Sequence, residues 1–193
     1  MINTQDYIIV VPKNTGLKKY REIGLSFISD TSNLLEVRGE DVPFWVKQLK
    51  EKGKKAIGLT GRDLYKEYCL ENRETSLKVL KTIPWKDSSA MFNKPTLCLL
   101  GPINKDIKTI NKTLTVCIAS KYQKIAKKYL NFLERQGFSF KKMYANGSIE
   151  ATYEQGLSDL VIDIVYTGST MTKNGLKVYD KILESDFLII GEK

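Results

Sequence analysis

Short apolar runs alternate with helical patterns along most of this 193-residue chain. Such alternation favours an α/β architecture with largely parallel sheets. The apolar runs predict strands at residues 7–11, 34–37, 56–59, 96–100, 114–118 and 160–165. Helical patterns lie at residues 41–52, 63–71, 121–136 and 150–156.

One segment of mixed polarity, residues 83–95, contains two prolines and separates the first set of these strand–helix units from the second. Prolines and polar residues of this kind interrupt regular structure. We therefore interpret the segment as the crossing between two lobes. The sequence shows no internal repeat.

The composition limits the chemistry that the chain can perform. It contains no histidine, which excludes Ser-His-Asp and Cys-His nucleophiles and histidine metal sites. Any catalysis must therefore use carboxylates, lysines, arginines, hydroxyls and backbone amides. The formal net charge of +9 favours anionic ligands, whether nucleotides, sugar phosphates or nucleic acid. Three scattered cysteines without a CxxC pair, and no signal or membrane segment, predict a cytoplasmic location.

The most informative segment is residues 159–170, DLVIDIVYTGST. Its near-continuous apolar run is typical of a strand that is covered on both faces. Asp163 inside that run would be costly to bury unless it lies at the carboxyl end of the sheet or is paired, which suggests a ligand hydroxyl or a lysine nearby. In residues 167–170 a glycine can turn successive N–H groups inward, and three hydroxyls add donors. We predict a loop that binds a phosphorylated ribose; a plain turn is the alternative.

Residues 150–171, EATYEQGLSDLVIDIVYTGSTM, resemble the ATP phosphoribosyltransferase family, which opens histidine biosynthesis. The family pattern places a glutamate six residues before a glycine, then a small residue, an aliphatic residue, an aspartate and a closing S/T-G-x-T-L/M. The chain matches at Glu150, Gly156, Ser158, Val161, Asp163, Ile164, Thr167, Gly168, Thr170 and Met171, and again at Asn174-Gly175-Leu176. Weaker matches lie at Pro12-Lys13, at Arg38 with Asp41-Val42-Pro43, and at residues 58–63 and 118–122.

The resemblance implies a two-lobed α/β fold, periplasmic-binding-protein-like (type II), with the active site in a central cleft. Residues 1–92 with 184–193 would form the lobe on the nucleotide side, and residues 93–183 the lobe that binds phosphoribosyl pyrophosphate (PRPP). The implied reaction joins N1 of ATP to the anomeric carbon of PRPP and releases pyrophosphate, with Mg²⁺ as cofactor. Such a displacement needs positioning and charge neutralisation more than a histidine base.

Site residues follow from the resemblance by position. The implied catalytic residues are Asp163 and Glu150, as contacts to the ribose or to a metal. The implied PRPP-binding residues are Asp163, Thr167, Gly168, Ser169 and Thr170. The implied nucleotide-binding or pyrophosphate-binding residues are Lys13, Arg38, Thr60, Gly61 and Lys121. For each basic residue the alternative is an ordinary surface ion pair.

Several features depart from the family pattern. Asn14-Thr15 replaces a Gly-Arg pair, Ala56 replaces an aspartate and Cys117 replaces an arginine. The replacements at Ala56 and Cys117 each remove a charge, and we expect both positions to lie near the cleft. The chain also ends shortly after residues 187–190, so we expect a divergent short-form catalytic subunit without the histidine-sensing domain of the long form. The implied partners are further copies of this chain and a regulatory subunit related to histidyl-tRNA synthetase.

Three other functions compete with this interpretation. A different phosphoribosyltransferase family also follows an acidic strand with T-G-x-T, but it usually has two adjacent acids, whereas Asp163 lies between Ile162 and Ile164. A catalytically silent protein that binds PRPP or nucleotide would keep the fold and the loop, and the changes in the first lobe favour it. A nucleic-acid-binding protein is suggested only by the net charge.

Overall fold

The computed structural model describes residue 2 and residues 4–107, 109–110 and 113–192. The chain divides into two compact units, Met1–Trp85 with Asp186–Lys193 and Lys86–Ser185. We call them unit 1 and unit 2. The two crossings therefore fall after residues 85 and 185, where the sequence suggested 92 and 183.

Unit 1 is a five-stranded sheet with three helices. Its elements are β1 (Ile8–Pro12), α1 (Lys18–Leu25), β2 (Leu34–Val37), α2 (Val42–Glu51), β3 (Ala56–Gly61), α3 (Arg62–Glu71), β4 (Lys78–Ile83) and, at the end of the chain, β10 (Phe187–Gly191). The strand order is β2-β1-β3-β10-β4. Strand β1 pairs in parallel with β2 and β3, and β10 pairs antiparallel with β3 and β4.

Unit 2 has the same plan. Its elements are β5 (Thr96–Pro102), β6 (Thr113–Ala119), α4 (Gln123–Glu134), β7 (Ser139–Ala145), α5 (Ala151–Glu154), β8 (Leu160–Val165), α6 (Ser169–Lys173) and β9 (Leu176–Glu184). The strand order is β7-β6-β8-β5-β9. Strand β6 pairs in parallel with β7 and β8, and β5 pairs antiparallel with β8 and β9. Each unit thus has a parallel triplet of strands followed by an antiparallel pair.

Five of the six predicted apolar runs become central strands, whose faces are covered, whereas residues 34–37 form the partly exposed edge strand β2. In β10, Phe187, Leu188, Ile189 and Ile190 are almost completely buried. Close packing also explains Gly58 in the middle of β3, where a Cβ atom would lie 2.6 Å from the Cγ1 atom of Val42 on α2. The missing side chain lets α2 lie directly on the sheet of unit 1.

The structure confirms that the fold is mixed α/β, but the expectation of largely parallel sheets was wrong. Of the eight pairings between the described strands, four are parallel and four are antiparallel. Strands β4, β7 and β9 carry exposed and polar residues, so their sequences lack the apolar runs of buried strands.

Among the described residues, no helix combines the length and the apolar character needed to cross a membrane.

Candidate functional site

The carboxyl ends of three parallel strands meet at one edge of the sheet in unit 2. Ala119 at the end of β6 pairs with Ala145 at the end of β7, and Ile118 pairs with Ile162 in β8. The loops that follow these strands start with Ser120, Asn146 and Tyr166. Crevices at such edges are where open α/β sheets bind ligands.

The loop after β8 contains the predicted phosphate loop, residues 167–170. Gly168 has φ 78°, in the left-handed region that glycine adopts without a steric cost. The hydroxyls of Thr167 and Ser169 lie 2.9 Å apart, and helix α6 begins at Ser169. The first N–H groups of a helix have no partner inside it, so this turn can offer backbone donors and hydroxyls to an anion.

Asp163 lies within β8, close to this loop. Its Oδ1 atom accepts a hydrogen bond of 2.7 Å from the backbone N–H of Ile164. Burial raises the pKa of Asp163 to about 6, and the nearby charge of Glu150 acts in the same direction. The hydrogen bond from Ile164 and the positive charge of Lys121 both oppose that rise in the pKa. The two implied catalytic residues, Asp163 and Glu150, and one implied pyrophosphate-binding residue, Lys121, thus lie near enough to interact electrostatically.

An open pocket of about 130 Å³ lies beside the phosphate loop. It is lined by Glu150, Ile164, Val165, Tyr166, Thr167, Gly168, Thr170 and Met171. One carboxylate therefore shares a pocket with three of the four predicted loop residues; Ser169 is not among the lining residues. A sugar phosphate needs both kinds of group, because its phosphate takes donors and its hydroxyls need acceptors.

The corresponding edge of unit 1 holds the other predicted residues. Lys13 follows β1, and its backbone N–H donates a 2.8 Å hydrogen bond to the carbonyl of Val37; Arg38 follows β2. Both side chains are exposed. Thr60 and Gly61 end β3. The structure places these four residues at the carboxyl ends of three neighbouring parallel strands.

Thr60 is fully buried, and its hydroxyl donates a hydrogen bond of 3.2 Å to the carbonyl of Gly39. The Asn14 side chain, where the family pattern has glycine, accepts a hydrogen bond of 3.3 Å from the N–H of the same Gly39. Both side chains thus fix the loop after β2. They support the backbone at this edge rather than extending into open space.

The two charge-removing replacements occupy different environments. Ala56 begins β3 and is completely buried in the core, at the opposite end of the strand from Gly61. Ala56 therefore does not lie at the edge of unit 1 that holds Thr60 and Gly61, and the expectation that this replacement is near the site is wrong. Cys117 is buried in β6, where burial chiefly raises the pKa of its thiol and the charge of Asp163 contributes. A neutral side chain therefore stands close to Asp163.

A family model described as "HisG: ATP phosphoribosyltransferase" matches residues 38–193. This range covers most of unit 1 and all of unit 2. The chain belongs to the ATP phosphoribosyltransferase family. Family membership confirms the predicted enzyme class, a pentosyl-transferring glycosyltransferase.

Relatives with this name agree with the assignment. The ATP phosphoribosyltransferase of Campylobacter fetus is 34% identical over 176 residues, which is 91% of this chain and 76% of that protein. The enzyme of Sulfurisphaera tokodaii is 30% identical over 161 residues, or 83% of this chain and 50% of that protein. The chain therefore spans only half the length of the second relative.

Solved structures confirm the fold. The ATP phosphoribosyl transferase (HisG:HisZ) complex from Thermotoga maritima matches with a TM-score of 0.69 and 23% identity, over 100% of this chain and 88% of that chain. The periplasmic aliphatic sulphonate binding protein SsuA from Escherichia coli matches with a TM-score of 0.58 and 16% identity, over 95% and 64%. The second likeness supports the periplasmic-binding-protein-like architecture expected for an ATP phosphoribosyltransferase.

Some residues of the site were not predicted from the sequence. Tyr166 lines the pocket and directly precedes the phosphate loop, but as the last residue of an apolar run it carried no sign of a role in the site. Ser120 donates a hydrogen bond of 3.1 Å to the carbonyl of Ala145 and so joins the loops after β6 and β7. Asp87 contacts Tyr166 from a distant part of the chain. No local pattern in the sequence marks that contact.

Proposed function

We propose that this chain transfers the phosphoribosyl group of PRPP to N1 of ATP and releases pyrophosphate, the first step of histidine biosynthesis. The observation that carries the proposal is the juxtaposition of the phosphate loop with Asp163 and Glu150 at one sheet edge, in a chain of this family. A phosphorylated sugar with free hydroxyls matches that arrangement.

In this proposal the phosphate loop binds the 5′-phosphate of PRPP. Its donors are the hydroxyls of Thr167, Ser169 and Thr170 and the N–H groups at the start of α6. Asp163, in its carboxylate form, accepts hydrogen bonds from the ribose hydroxyls. Lys121, which lowers the pKa of Asp163 from the loop after β6, would neutralise charge on the pyrophosphate.

The chemistry requires one bond to form and one to break at the anomeric carbon. Adenine N1 supplies the electron pair for the new bond, and pyrophosphate leaves with the electron pair of the old one. Positive charge develops on the ribose ring and negative charge on the leaving group. Asp163 and Glu150 can stabilise the positive charge on the ribose, and Lys121 can stabilise the negative charge on the pyrophosphate.

Magnesium is compatible with the residues at this edge. The described residues contain no group of three or more histidine, cysteine, aspartate or glutamate side chains that could hold a metal ion. Mg²⁺ does not require such a cage, because it commonly uses one or two carboxylates together with substrate phosphates. Asp163 and Glu150 would hold it, and the ion would neutralise charge on the pyrophosphate.

The ATP side of the reaction is assigned to the edge of unit 1. Lys13 and Arg38 are exposed cations at the ends of β1 and β2, which suits contacts to a triphosphate. Gly61 precedes the first turn of α3, and helix N-termini are common phosphate-binding positions. A silent PRPP-binding protein is the second candidate, because Asn14-Thr15 stands at this edge where the family pattern has a Gly-Arg pair.

The partners and the cellular compartment are proposed on similar grounds. The Thermotoga maritima structure is a complex of HisG with HisZ. We propose that this chain likewise pairs with a regulatory subunit related to histidyl-tRNA synthetase and with further copies of itself. Cys69, Cys98 and Cys117 are free thiols, which supports a cytoplasmic location.

The test is a turnover assay with ATP, PRPP and Mg²⁺, followed through the ultraviolet absorbance of phosphoribosyl-ATP. Product formation, alone or with a regulatory subunit, is the expected result. Calorimetric binding of PRPP without product under both conditions would establish the silent protein instead. Absence of both binding and product would overturn the proposal, and a steep salt dependence of affinity for RNA or DNA would then point to nucleic acid.

A further inference from the structure

The first residues of unit 2 form a closed loop, residues 87–93, which we call the bracing loop. Its ends are joined by a hydrogen bond of 2.9 Å from the N–H of Asp87 to the carbonyl of Asn93. Inside it, the N–H of Ala90 donates to the carbonyl of Asp87 at 3.1 Å. The Oδ1 atom of Asp87 accepts hydrogen bonds from the N–H and the hydroxyl of Ser89, at 2.9 and 2.7 Å. The Asp87 carboxylate is therefore held in one orientation.

The bracing loop contacts the residues around the phosphate loop at three points. The N–H of Met91 donates a hydrogen bond of 2.7 Å to the carbonyl of Tyr166. The Tyr166 hydroxyl donates to the second carboxylate oxygen, Oδ2, of Asp87. The sulfur of Met91 lies 3.3 Å from the position that a Cβ atom would take on Gly168. These contacts reach both the backbone and the side chain of the residue just before Thr167.

Tyr166 lies beyond the last residue of β8, so no strand pairing holds its backbone. Strand β8 ends at Val165, and α6 begins at Ser169, so Tyr166 and the next two residues lie between two regular elements. A loop that presents donors to a phosphate binds more tightly when it is already ordered, because less conformational entropy is lost. The two bonds to the bracing loop are placed to provide that order.

We infer that Asp87, acting through the Tyr166 hydroxyl, is a positioning residue for the phosphate loop. Asp87 is not a catalytic residue, since the contact that defines its role is to Tyr166 and not to a reacting atom. The identity of the ligand as PRPP rests on the proposed function. The inference that Asp87 orders residues 167–170 does not depend on the identity of the ligand.

The test compares two variants, Tyr166→Phe and Asp87→Asn, with the matched control Tyr129→Phe. In the control the tyrosine hydroxyl also donates to a carboxylate of unit 2, at 2.8 Å to Asp180, but from α4 to β9. A loss of general stability should therefore affect all three variants alike. A loss of positioning should affect only the first two.

The first measurement is backbone hydrogen exchange of the free full-length chain, read on peptides that cover residues 167–172. Both test variants should exchange about tenfold faster there than the parent chain, and the control should not. Peptides from α4 serve as an internal reference. Equal exchange in the parent and in both test variants would overturn the inference, whatever the ligand is.

The second measurement separates positioning from a purely structural role. If the loop binds the 5′-phosphate equally in the ground and transition states, losing its order raises the KM for PRPP and leaves kcat unchanged. We expect about a tenfold rise in that KM for each test variant, and the same rise for the double variant, because a single bond is lost. The KM for ATP should stay within about twofold.

The outcomes distinguish the two proposals. Faster exchange at residues 167–172 without PRPP binding by the parent chain would support the positioning role and refute PRPP as the ligand. A parent chain that binds PRPP, together with unaltered exchange and KM in both test variants, would refute the positioning role alone. Equal effects in Tyr129→Phe would also refute it, by showing that the bond only stabilises unit 2.

Discussion

Each unit has a Thr-Gly pair near the carboxyl end of the third strand of its parallel triplet, and the two pairs differ in structure. In unit 1, Gly61 has φ −74°, and the buried hydroxyl of Thr60 bonds to the carbonyl of Gly39. In unit 2, Gly168 has φ 78°, and the hydroxyl of Thr167 is exposed beside that of Ser169. The same two residue types thus stabilise a neighbouring loop in one unit and remain open to a ligand in the other.

This difference shows that the Thr-Gly pair alone does not define a phosphate site. The open pair in unit 2 is accompanied by a half-buried carboxylate, Asp163, and by a second acid, Glu150. The pair in unit 1 continues into Arg62, which forms an ion pair of 3.4 Å with Asp186. Function follows from the neighbouring charged groups and from the backbone conformation at the glycine. We therefore expect substitutions in unit 2 to affect PRPP and those in unit 1 to affect ATP.

The largest effect is expected for Asp163→Asn. Removing the charged acceptor for the ribose hydroxyls should weaken PRPP binding by about 2–3 kcal/mol, the range for a hydrogen bond to a charged group. Thr170→Ala should cost about 1–2 kcal/mol for the same ligand. Calorimetric titration measures both.

Asp159→Asn is the matched control for Asp163→Asn. Its carboxylate accepts a hydrogen bond of 2.7 Å from the N–H of Thr115, at the opposite end of the same strand. PRPP affinity should stay unchanged in that variant. Unaltered affinity in both Asp163→Asn and Thr170→Ala would remove the PRPP site from this edge.

The pH dependence of PRPP binding should show the ionisation of Asp163. Its pKa in the folded chain is about 6, above the ordinary 3.8, because burial disfavours the carboxylate. PRPP affinity should therefore decrease as the pH falls through 6, by up to about 1.4 kcal/mol per pH unit. The ratio of parent to Asp163→Asn affinities isolates this effect from the titration of PRPP itself, and a flat ratio between pH 5 and 7 would contradict it.

The stability of the chain should change in the opposite sense. Between pH 3.8 and about 6 the folded chain binds a proton at Asp163 that the unfolded chain has lost. The free energy of unfolding therefore falls as the pH rises through that window. Asp163→Asn removes this pH-dependent decrease in the free energy of unfolding. The variant should therefore be more stable than the parent above pH 6 while it binds PRPP less well. Urea denaturation at pH 5 and pH 7.5 measures the difference.

A smaller effect is expected for Gly168→Ala. A positive φ costs an alanine about 1 kcal/mol, and here its Cβ atom would also lie 3.3 Å from two atoms of Met91. Gly53→Ala in unit 1 is the control, because Gly53 has φ 73° and no atoms within 4 Å of the added Cβ atom. Both variants should lose stability in urea denaturation. Only Gly168→Ala should weaken PRPP binding, and equal PRPP affinities would show that the left-handed turn is not part of the site.

The smallest effect is expected at the edge of unit 1. Lys13→Ala should raise the KM for ATP by a few-fold, about 0.5–1 kcal/mol, because an exposed cation contributes little in water. Lys18→Ala, an exposed lysine on α1, should leave that KM unchanged. Steady-state kinetics at saturating PRPP measure both. A change in the KM for PRPP instead of that for ATP would contradict the assignment of the two edges.

The sequence was sufficient for the features that depend on local chemistry. The strands Leu34–Val37 and Leu160–Val165 have the predicted bounds, and the second is largely buried, as its near-continuous apolar run indicates. The left-handed turn at Gly168 follows from the freedom of glycine. The pairing directions of β5 and β10 could not be predicted, because antiparallel pairing here depends on how the chain returns to each sheet.

Contacts between residues that are distant in the chain could not be predicted from the sequence either. The bond between Tyr166 and Asp87 joins residues 79 positions apart, and neither residue has a local pattern that indicates it. The burial that raises the pKa of Asp163 comes from the packing of unit 2 and not from its neighbours in the chain. The hydrogen bond from the Thr60 hydroxyl to the Gly39 carbonyl could likewise be found only in the structure, since a Thr-Gly pair can either support a neighbouring loop or bind a ligand.

Hydrogen exchange of the full chain with and without PRPP tests the position of the phosphoribosyl site most directly. PRPP should slow exchange in peptides covering residues 147–151 and 166–171, which include Glu150 and the phosphate loop. Peptides covering residues 36–40 and 58–62, at the edge of unit 1, should be unchanged until ATP is added. Protection by PRPP at the edge of unit 1, with none around Gly168, would contradict the assignment of the phosphoribosyl site to unit 2.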